Sequence, residues 1–508
     1  MAENIILSYE GAKGGRRTQN WKTSNADANA EIAPDLQTLR NRSRDLIRSN
    51  PHGARAASIV VNSAVGTGII PQAASDNPKL NIRIDKLFAD WAAVCDAENQ
   101  LDFYGLQQLN TRAIFESGAA LMRFRGRRPE DNLPVPLQLQ TLECDYIDLS
   151  AYQNTSGGVT INGIEYDAIG RRKNYWIYDT HPGSAVPNLT TSWLSKAVPA
   201  DQFVHAYRKD RPQQTHGVPW LAPVMMLMRD MDEYSDALLV GAKIAACLAL
   251  FVSQPEGAGG ITLGSNETEA STSNRIETFR PGMVMYGRAG EEAQPIVPPN
   301  HGGSVDYLKY LQRVLAIGMD LHYSQLSGDL SEVNWSSFRA GDRDFRSNIE
   351  AFRWLCVIPM MLQPIWDRVI SAAYVAGKLP VDRCPVIWTP PPFVSVDPVK
   401  DAEADDKELS NGTLTWPDAI LRKGGDPEKW LQRIIDSNKK IDDAKLVFGY
   451  DRRKVTANGI AQVDQLAVEK AKSDAAAKAA KIVADKPAPA PVPAAAPAPV
   501  ATPVSKKS

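Results

Sequence analysis

The stretch PVMMLMRDMDEYSDALLVGAKIAACLALFV, residues 223–252, decides how the rest of the chain is read. After Pro223 it runs at helical spacing through Met225, Met228, Met231, Ala237 and Leu238 towards Val252. Its many methionines are explained more simply by core packing than by a binding groove. The apolar part, Ile244 to Val252, stays too short for the roughly 20 residues of a membrane span, and extending it back to Ala237 brings in Lys243. A second helix is expected over Val305–Tyr323, with Leu308, Leu311, Leu315 and Met319 along one side. Between them, 254–303 holds a Gly-rich turn, a Ser/Thr/Asn stretch and two expected strands, Ile276–Phe279 and Gly282–Tyr286. A small β-containing insert thus separates two long helices.

Upstream, residues 1–34 lack sustained periodicity and read as a flexible arm. From Asp35 a helix follows, with Leu36, Leu39, Leu46 and Ile47 on one face and Arg40, Arg44 and Arg48 on another. The plain reading of these arginines is a solvated face; the sharper one is contact with an acidic partner or nucleic acid. Asn50-Pro51 stops that helix, because the residue before proline disfavours the α region. Ile84, Leu87, Phe88, Trp91 and Val94 mark an amphipathic helix, and another spans about Phe103 to Ser117. Strands are expected at Leu121–Arg125, at Val135–Thr141 by its alternation, and at Phe203–Tyr207. Ile164–Ile169 and Asn174–Tyr178, on either side of Gly170-Arg171-Arg172-Lys173, read as a hairpin. The first 210 residues or so therefore suggest helices on a mainly antiparallel sheet, an α+β class.

Downstream, Ser324–Ser337 reads as a polar loop. A helix is expected from about Trp335 to Gly377, with Phe338, Phe345, Ile349, Phe352 and Leu355 inward and a kink or break at Pro359 and Pro364. Residues 380–396 are Pro-rich and extended. Helices should occupy Pro398 to about Tyr450, punctuated by Asn411-Gly412 and Gly424-Gly425-Asp426-Pro427. Ala467–Asp485 is Ala/Lys-rich and helix-compatible, and the Pro/Ala end cannot build a core.

Composition narrows the function classes. Lys+Arg is 57 and Asp+Glu 59, a formal charge of −2, which excludes a globally basic nucleic-acid coat. With 11 Trp, 12 Phe and 15 Tyr to bury, the bulk of the 508 residues must fold. The five cysteines are widely spaced without CxxC, so they read as free, mostly buried thiols of a reducing compartment. The polar N-terminus carries Lys13, Arg16 and Arg17 with no following apolar run, which predicts no signal peptide. No GxxxxGK[ST], HExxH, EF-hand loop, Cys/His zinc spacing or GxSxG occurs, so no cofactor or metal is expected. The six His are scattered, and a triad assembled in space stays open. Short basic clusters, Arg123/Arg125/Arg127/Arg128, Arg171/Arg172/Lys173 and Arg452/Arg453/Lys454, read as solvated loops rather than phosphate sites.

An ordered set of segments carries more than these classes. Leu39-Arg-Asn-Arg-Ser-Arg-Asp-Leu46 with Asn50-Pro51, then Val65-Gly-Thr-Gly-Ile69, resembles the opening of the lambda-type portal proteins, the head–tail connectors of tailed bacteriophages. Gly163-Ile-Glu-Tyr-Asp-Ala-Ile-Gly170, Tyr175-Trp176, His181-Pro182, Val198-Pro-Ala-Asp201, His205 and Gly217-Val-Pro-Trp-Leu-Ala-Pro223 are similar to later blocks. So are Leu326-Ser-Gly-Asp-Leu-Ser331 and Asn334-Trp335-Ser336-Ser337, although the family usually has Tyr where Trp335 stands. The similarity runs in order from about residue 35 to 450.

The resemblance implies a portal fold and a closed ring of about twelve copies at one capsid vertex. Double-stranded DNA would be packaged and later ejected through it. Terminase large subunit, major capsid or scaffold protein and head-completion or tail adaptor protein would be partners, with no membrane and no catalysis of its own. The expected location is the virion, and the host cytoplasm during assembly. Laid on the chain, it implies an arm at 1–34, a wing at 35–221, stem helices at 222–253 and 304–323 and a clip at 254–303. The channel loop would be 324–337, the kinked wing helix and link 338–394, the crown 395–470 and a disordered tail 471–508. Asp329, Glu332, Asn334 and Trp335 would belong to the channel loop. The two acids would face DNA, or cap the next helix, or both. Arg339 and Arg343 would reach phosphate or pair with Asp342 and Glu350. The alternative from another class is a phage-associated hydrolase built from scattered His and carboxylates.

Overall fold

One residue, Asn50, joins the first two long helices. Its backbone is extended (φ −100°, ψ 125°), and its Oδ1 accepts from the N–H groups of His52 (2.8 Å) and Gly53 (3.1 Å). It thus ends one helix and caps the next, whose first residue is Pro51. These features come from a computed structural model that describes residues 9, 12–155, 158–184, 194–247, 250–252, 284–286, 303–331, 334–394, 397–446, 470, 472–475 and 477.

The chain opens with α1 (Ala28–Ile32), α2 (Leu36–Ser49) and α3 (Pro51–Ala64), then β1 (Ile70–Ala73), α4 (Pro78–Ala92) and α5 (Phe103–Ser117). β2 (Ala119–Gly126), β3 (Leu137–Leu142), β4 (Gln153–Thr155), β5 (Gly158–Ile161), β6 (Ile164–Asp167), β7 (Arg172–Ile177), β8 (Lys196–Pro199) and β9 (Phe203–Tyr207) follow. They make two antiparallel sheets, β3-β2-β9 and the meander β4-β5-β6-β7-β8. The expected hairpin is β6–β7. The architecture is α+β.

Next come α6 (Met225–Cys247), β10 (Leu250–Val252) and β11 (Val284–Tyr286), the two strands pairing in parallel. The first long helix therefore ends at Cys247, and Leu250–Val252, expected to continue it, are strand. The expected strand Ile276–Phe279 lies outside the described residues, as does nearly all of the insert. α7 (Ser304–Gly318) stops short of the expected Tyr323. The cause is local: Asp320 takes the left-handed conformation (φ 59°). The N–H of Leu321 bonds to Ala316 O at 2.9 Å and that of Asp320 to Ile317 O at 3.1 Å, a Schellman closure with Leu321 and Ala316 both buried.

α8 (Tyr323–Ser327) occupies the start of the expected polar loop, and α9 (Trp335–Phe352) begins where the pattern placed it. Of the kink or break expected at the prolines, the break does not occur. Instead Arg353–Leu362 winds as π-helix around Pro359, and α10 (Gln363–Val375) continues with Pro364 in its first turn. The wider turn changes the face: Cys356, Val357 and Ile358 are buried, while Leu355, expected inside, is 75% exposed. β12 (Val386–Thr389) then pairs antiparallel with β1, Ile70 opposite Thr389.

α11 (Pro398–Ser410) and α12 (Trp416–Arg422) are followed by Gly412 and Gly424 respectively, each at φ 73°. Met1–Gly425 forms one unit; Asp426–Ser508 forms a second, containing α13 (Pro427–Asp443) with Asp426 as its cap. Both Gly/Pro punctuation points act as the sequence expects.

The main core of the first unit gathers α3, α4, α5, α10 and the π-helical stretch. Phe88 lies 5.2 Å from Trp91 and 5.1 Å from Trp366 between ring centres. The indole N–H groups of Trp91 and Trp366 donate to Leu137 O and Cys384 O, each at 2.8 Å, so neither buried ring leaves a donor unpaired. A smaller core holds Leu121, Ile147, Ile164, Tyr175, Ile177 and Phe203. Cys95, Cys144, Cys356 and Cys384 are free and buried. Burial pushes the thiols of Cys95 and Cys356 up to about 12 and that of Cys144 to about 11, so they stay protonated.

Two expectations about surface charge change. Part of the expected flexible arm is folded: Asn29 on α1 is buried, and its Oδ1 accepts from the Thr215 N–H and Oγ1 at 2.9 and 2.8 Å. The arginine face of α2 is not solvated. Arg40 is fully buried, and Arg44 lies 2.5 Å from Asp145; only Arg48 is exposed, pairing with Asp45. The helix is covered on two sides, which a one-face reading of its periodicity misses. Likewise Arg172 of the second basic cluster donates to the phenols of Tyr175 (2.8 Å) and Tyr207 (2.6 Å) instead of lying in a solvated loop. Arg452, Arg453 and Lys454 lie outside the described residues.

Candidate channel segment

The segment singled out by sequence hangs from α6 and α7. At their base Gly318 packs on Val224 so closely that a Cβ there would overlap Val224 Cγ1. Further along, Tyr234 of α6 meets Tyr307 of α7 edge-on, 5.4 Å between ring centres. Met228, Met231, Leu311, Leu315 and Met319 are buried in the main core, so the methionine run is core packing. The opposite faces stay exposed and apolar: Met226, Leu239 and Val240 on α6, and Val305, Tyr307, Tyr310 and Ile317 on α7.

α8 fixes the start of the loop. Leu326 is buried, and Arg55 of α3 donates to Gln325 O at 2.6 Å. Gly328 ends the helix in the left-handed conformation (φ 74°). The segment Leu326–Ser331 is then a local device. Asp329 N–H donates to Ser327 Oγ (3.1 Å), and Asp329 Oδ1 accepts from the Ser331 N–H (2.9 Å) and Oγ (2.6 Å). Its Oδ2 accepts from Tyr323 OH at 3.2 Å. Those Ser331 hydrogen bonds hold the Asp329 carboxyl below its ordinary range, so it is charged at neutral pH. Asp329 therefore closes an Asx turn and does not cap α9.

Asn334 is exposed, and its carbonyl accepts from Phe338 N–H at 3.0 Å, opening α9. Trp335 is the first residue of α9; its side chain, and all of Glu332, lie outside the described residues. Arg339 pairs with Asp401 at 4.0 Å, and Asp342 pairs with Arg346 at 2.7 Å. The expected pairing of Arg339 with Asp342 or Glu350 is thus replaced by one to α11. These side chains and Arg343 line a groove of ≈560 Å³.

The histidines do not converge on one centre. His205 and His216 are buried with ring centres 5.4 Å apart, whereas His52 contacts Gln312 at 3.1 Å on another face; His301 is outside the described residues. A second cavity, ≈660 Å³, is lined by Gln37, Arg44, Asp145, Asp148, Tyr178 and His181, a grouping whose members lie far apart in sequence. Here His181 Nε2 is 3.0 Å from Glu143. Glu143, Asp145 and His181 have cation-ligand chemistry, but Arg44 already lies 2.5 Å from Asp145 and 3.4 Å from Glu143, and Gln37 donates to the other Asp145 oxygen at 2.8 Å. The cluster is an ion-pair network. A hydrolase assembled from these residues finds no support.

The described residues display a helix pair with an uncovered apolar face and a self-bonded acidic turn. The family model for phage portal proteins of the lambda family matches residues 14–353. The chain belongs to that family, and a portal protein is a structural part of the particle. Two phage proteins are similar over most of its length. The "Probable portal protein" of Halomonas phage phiHAP-1 is 23% identical over 485 residues, 91% of each chain. The "Portal protein" of Escherichia phage N15 is 21% identical over 497 residues, 85% of this chain and 90% of that one. Among solved structures, a chain from the neck of a native gene transfer agent particle, computed with C12 symmetry, aligns at TM-score 0.40 and 14% identity, covering 77% of this chain and 94% of that one. A chain from the neck of the empty particle, computed with C6 symmetry, aligns at 0.39 and 15%, with the same coverage.

Proposed function

We propose that this portal protein closes into a ring of about twelve copies at one capsid vertex and conducts double-stranded DNA inward during packaging and outward at ejection. It does so without catalysis of its own. Terminase large subunit docks on the ring during packaging, and a head-completion or tail adaptor protein replaces it. Major capsid or scaffold protein contacts its outer surface. The ring assembles in the host cytoplasm and remains in the virion. The observation that carries this reading is the lambda-family match, which spans all of α6, α7, α8 and α9.

On this reading α6 and α7 are the stem, the insert at 254–303 the clip, 324–337 the channel loop and 395–470 the crown. Residues 35–221 and 338–394 are the wing. Asp329, Glu332, Asn334 and Trp335 face the channel. A conduit must not hold its cargo, and a charged Asp329 repels phosphate where a lysine would pair with it. The near-balanced charge of −2 suits the same requirement. Among the described residues no helix is long and apolar enough to cross a membrane.

Negative-stain images of the purified full chain, with native mass on the same sample, test the reading. Rings of uniform symmetry with a central hole are expected. A small species that hydrolyses a substrate and never forms rings would overturn it.

A further inference from the structure

The first basic cluster stands on a sheet. Arg123 and Arg125 lie on β2, and Arg127 continues its pairing, the Arg127 N–H donating to Pro136 O at 2.9 Å. On β3, Gln140 stands opposite Arg123 and Gln138 opposite Arg125, so the three arginines and two glutamines share one face. Met122, Phe124, Leu137 and Leu139 occupy the other face, in the main core. The cluster is therefore a ladder of guanidiniums and not the solvated loop its sequence suggests.

Neutral groups hold this ladder in place. Gln138 Nε2 donates to Val94 O (2.8 Å) and Asp96 O (3.0 Å), which turns its oxygen towards Arg127 Nε, 2.7 Å away. Arg125 Nε donates to Gln140 Oε1 at 2.7 Å. Arg123 Nη2 donates to Gln202 Oε1 at 3.3 Å, and its guanidinium lies 5.4 Å from the centre of the Phe203 ring. Among the described residues none of the three pairs with a carboxylate. Burial, then the like charges of Arg123 and Arg127, holds the Arg125 guanidinium below its ordinary value. All three residues are half-buried, and Arg125 and Arg127 keep both Nη groups free of protein partners among the described residues.

Guanidiniums two residues apart on a strand repeat at about 6.8 Å, and an extended peptide with an acid at every second residue repeats its carboxylates at the same interval. Acids bound the ladder. Exposed Glu130 and Asp131 follow Arg128 at one end, and exposed Asp201, which pairs with Arg368 at 4.0 Å, adjoins Gln202 at the other. A DNA duplex carries its charge continuously past both ends and would meet those acids; a short acidic segment stops between them.

We infer that this face of β2 and β3 docks a short, extended acidic segment of a partner protein, its alternate carboxylates paired with the outward N–H groups of Arg123, Arg125 and Arg127. Arginine clusters read acidic motifs in this way, the planar guanidinium taking both oxygens of a carboxylate. The site depends neither on ring formation nor on DNA conduction.

Three labelled probes titrated into the full chain at low salt test it: a peptide alternating Glu and Thr, a peptide of the same composition with Glu and Thr in separate blocks, and a short DNA duplex. The alternating peptide should bind more tightly than the block peptide and slow hydrogen exchange on β2 and β3, and the duplex should not displace it. Arg125→Gln should weaken that binding about tenfold, the loss of one charge-assisted pair. No binding, equal affinity for the two peptides, protection confined to other elements, or displacement by the duplex each overturns the inference. The peptide comparison and the exchange map use the native chain, so they decide even if Arg125→Gln fails to fold.

Discussion

Arg44 and Asp145 show how far single residues escape a reading by periodicity. Burial alone would push the Asp145 carboxyl up. The hydrogen bond from Arg44 and the charges of Arg40 and Arg44 outweigh that, so it lies below its ordinary value. Its contribution to stability is present at neutral pH and is lost as pH falls through the depressed folded value. Removing one partner leaves a buried charge, so Arg44→Met should cost about 3–5 kcal/mol by urea unfolding at pH 7. The histidine pair has the opposite chemistry but the same sign in pH. Burial, then the Arg40 charge, holds His216 down at about 3 against an unfolded value of 6.5; His205 is also well below. The unfolded chain therefore binds more protons below pH 6.5. Stability is full above that and declines as pH falls towards 3, by up to about 1.4 kcal/mol per pH unit for each His. Unfolding curves between pH 7 and 4 should flatten in His216→Gln relative to the native chain.

At the scale of elements, the clearest sequence signals were punctuation. Asn50-Pro51, Gly412, Gly424 and Asp426-Pro427 each stand where a helix stops or starts, because caps and prolines act through their own backbone. The Schellman stop at Asp320 was not legible, since a left-handed Asp is uncommon and Leu321 had to find Ala316 to stabilise it. The π-helical stretch was half legible: Pro359 announced a disturbed ladder, but only packing decided that the helix would widen instead of breaking. Gly217, inside the block Gly217-Val-Pro-Trp-Leu-Ala-Pro223, owes its identity to a crossing. A Cβ there would overlap the carbonyl of Gly118, which itself sits at φ 86°. Neither backbone can retreat without moving β9 or α5. Gly217→Ala should lower the urea midpoint by the equivalent of about 1–3 kcal/mol.

For the whole molecule, the exposed apolar stripes of α6 and α7 matter most. Ile317 is 74% exposed and Tyr310 60%, on helices whose other faces are core. A monomer that leaves such faces bare is expected to cover them by association. Ile317→Asp should leave thermal unfolding of the single chain within about 0.5 kcal/mol of native. The same change should abolish or shrink the ring species in native mass. Loss of secondary structure in that variant would instead show that Ile317 supports the fold.

The sequence by itself determined the α+β class, the two long helices on either side of an insert, the amphipathic faces and the family. These depend on local spacing and on an ordered set of short segments, which a linear string records directly. Of the candidate segment, it suggested a polar loop over Ser324–Ser337, the start of which is helix α8. Only the tertiary structure decided that Arg40 lies buried, with its Nε–H on Ser117 O. It also brought Glu143 and Asp145 to Arg44, across about a hundred residues of chain, and His181 to Glu143. The reason is physical: a helix period tells which residues share a face but not how many faces are covered. Whether an arginine meets water, an acid or an enclosed pocket depends on which distant segment packs over it.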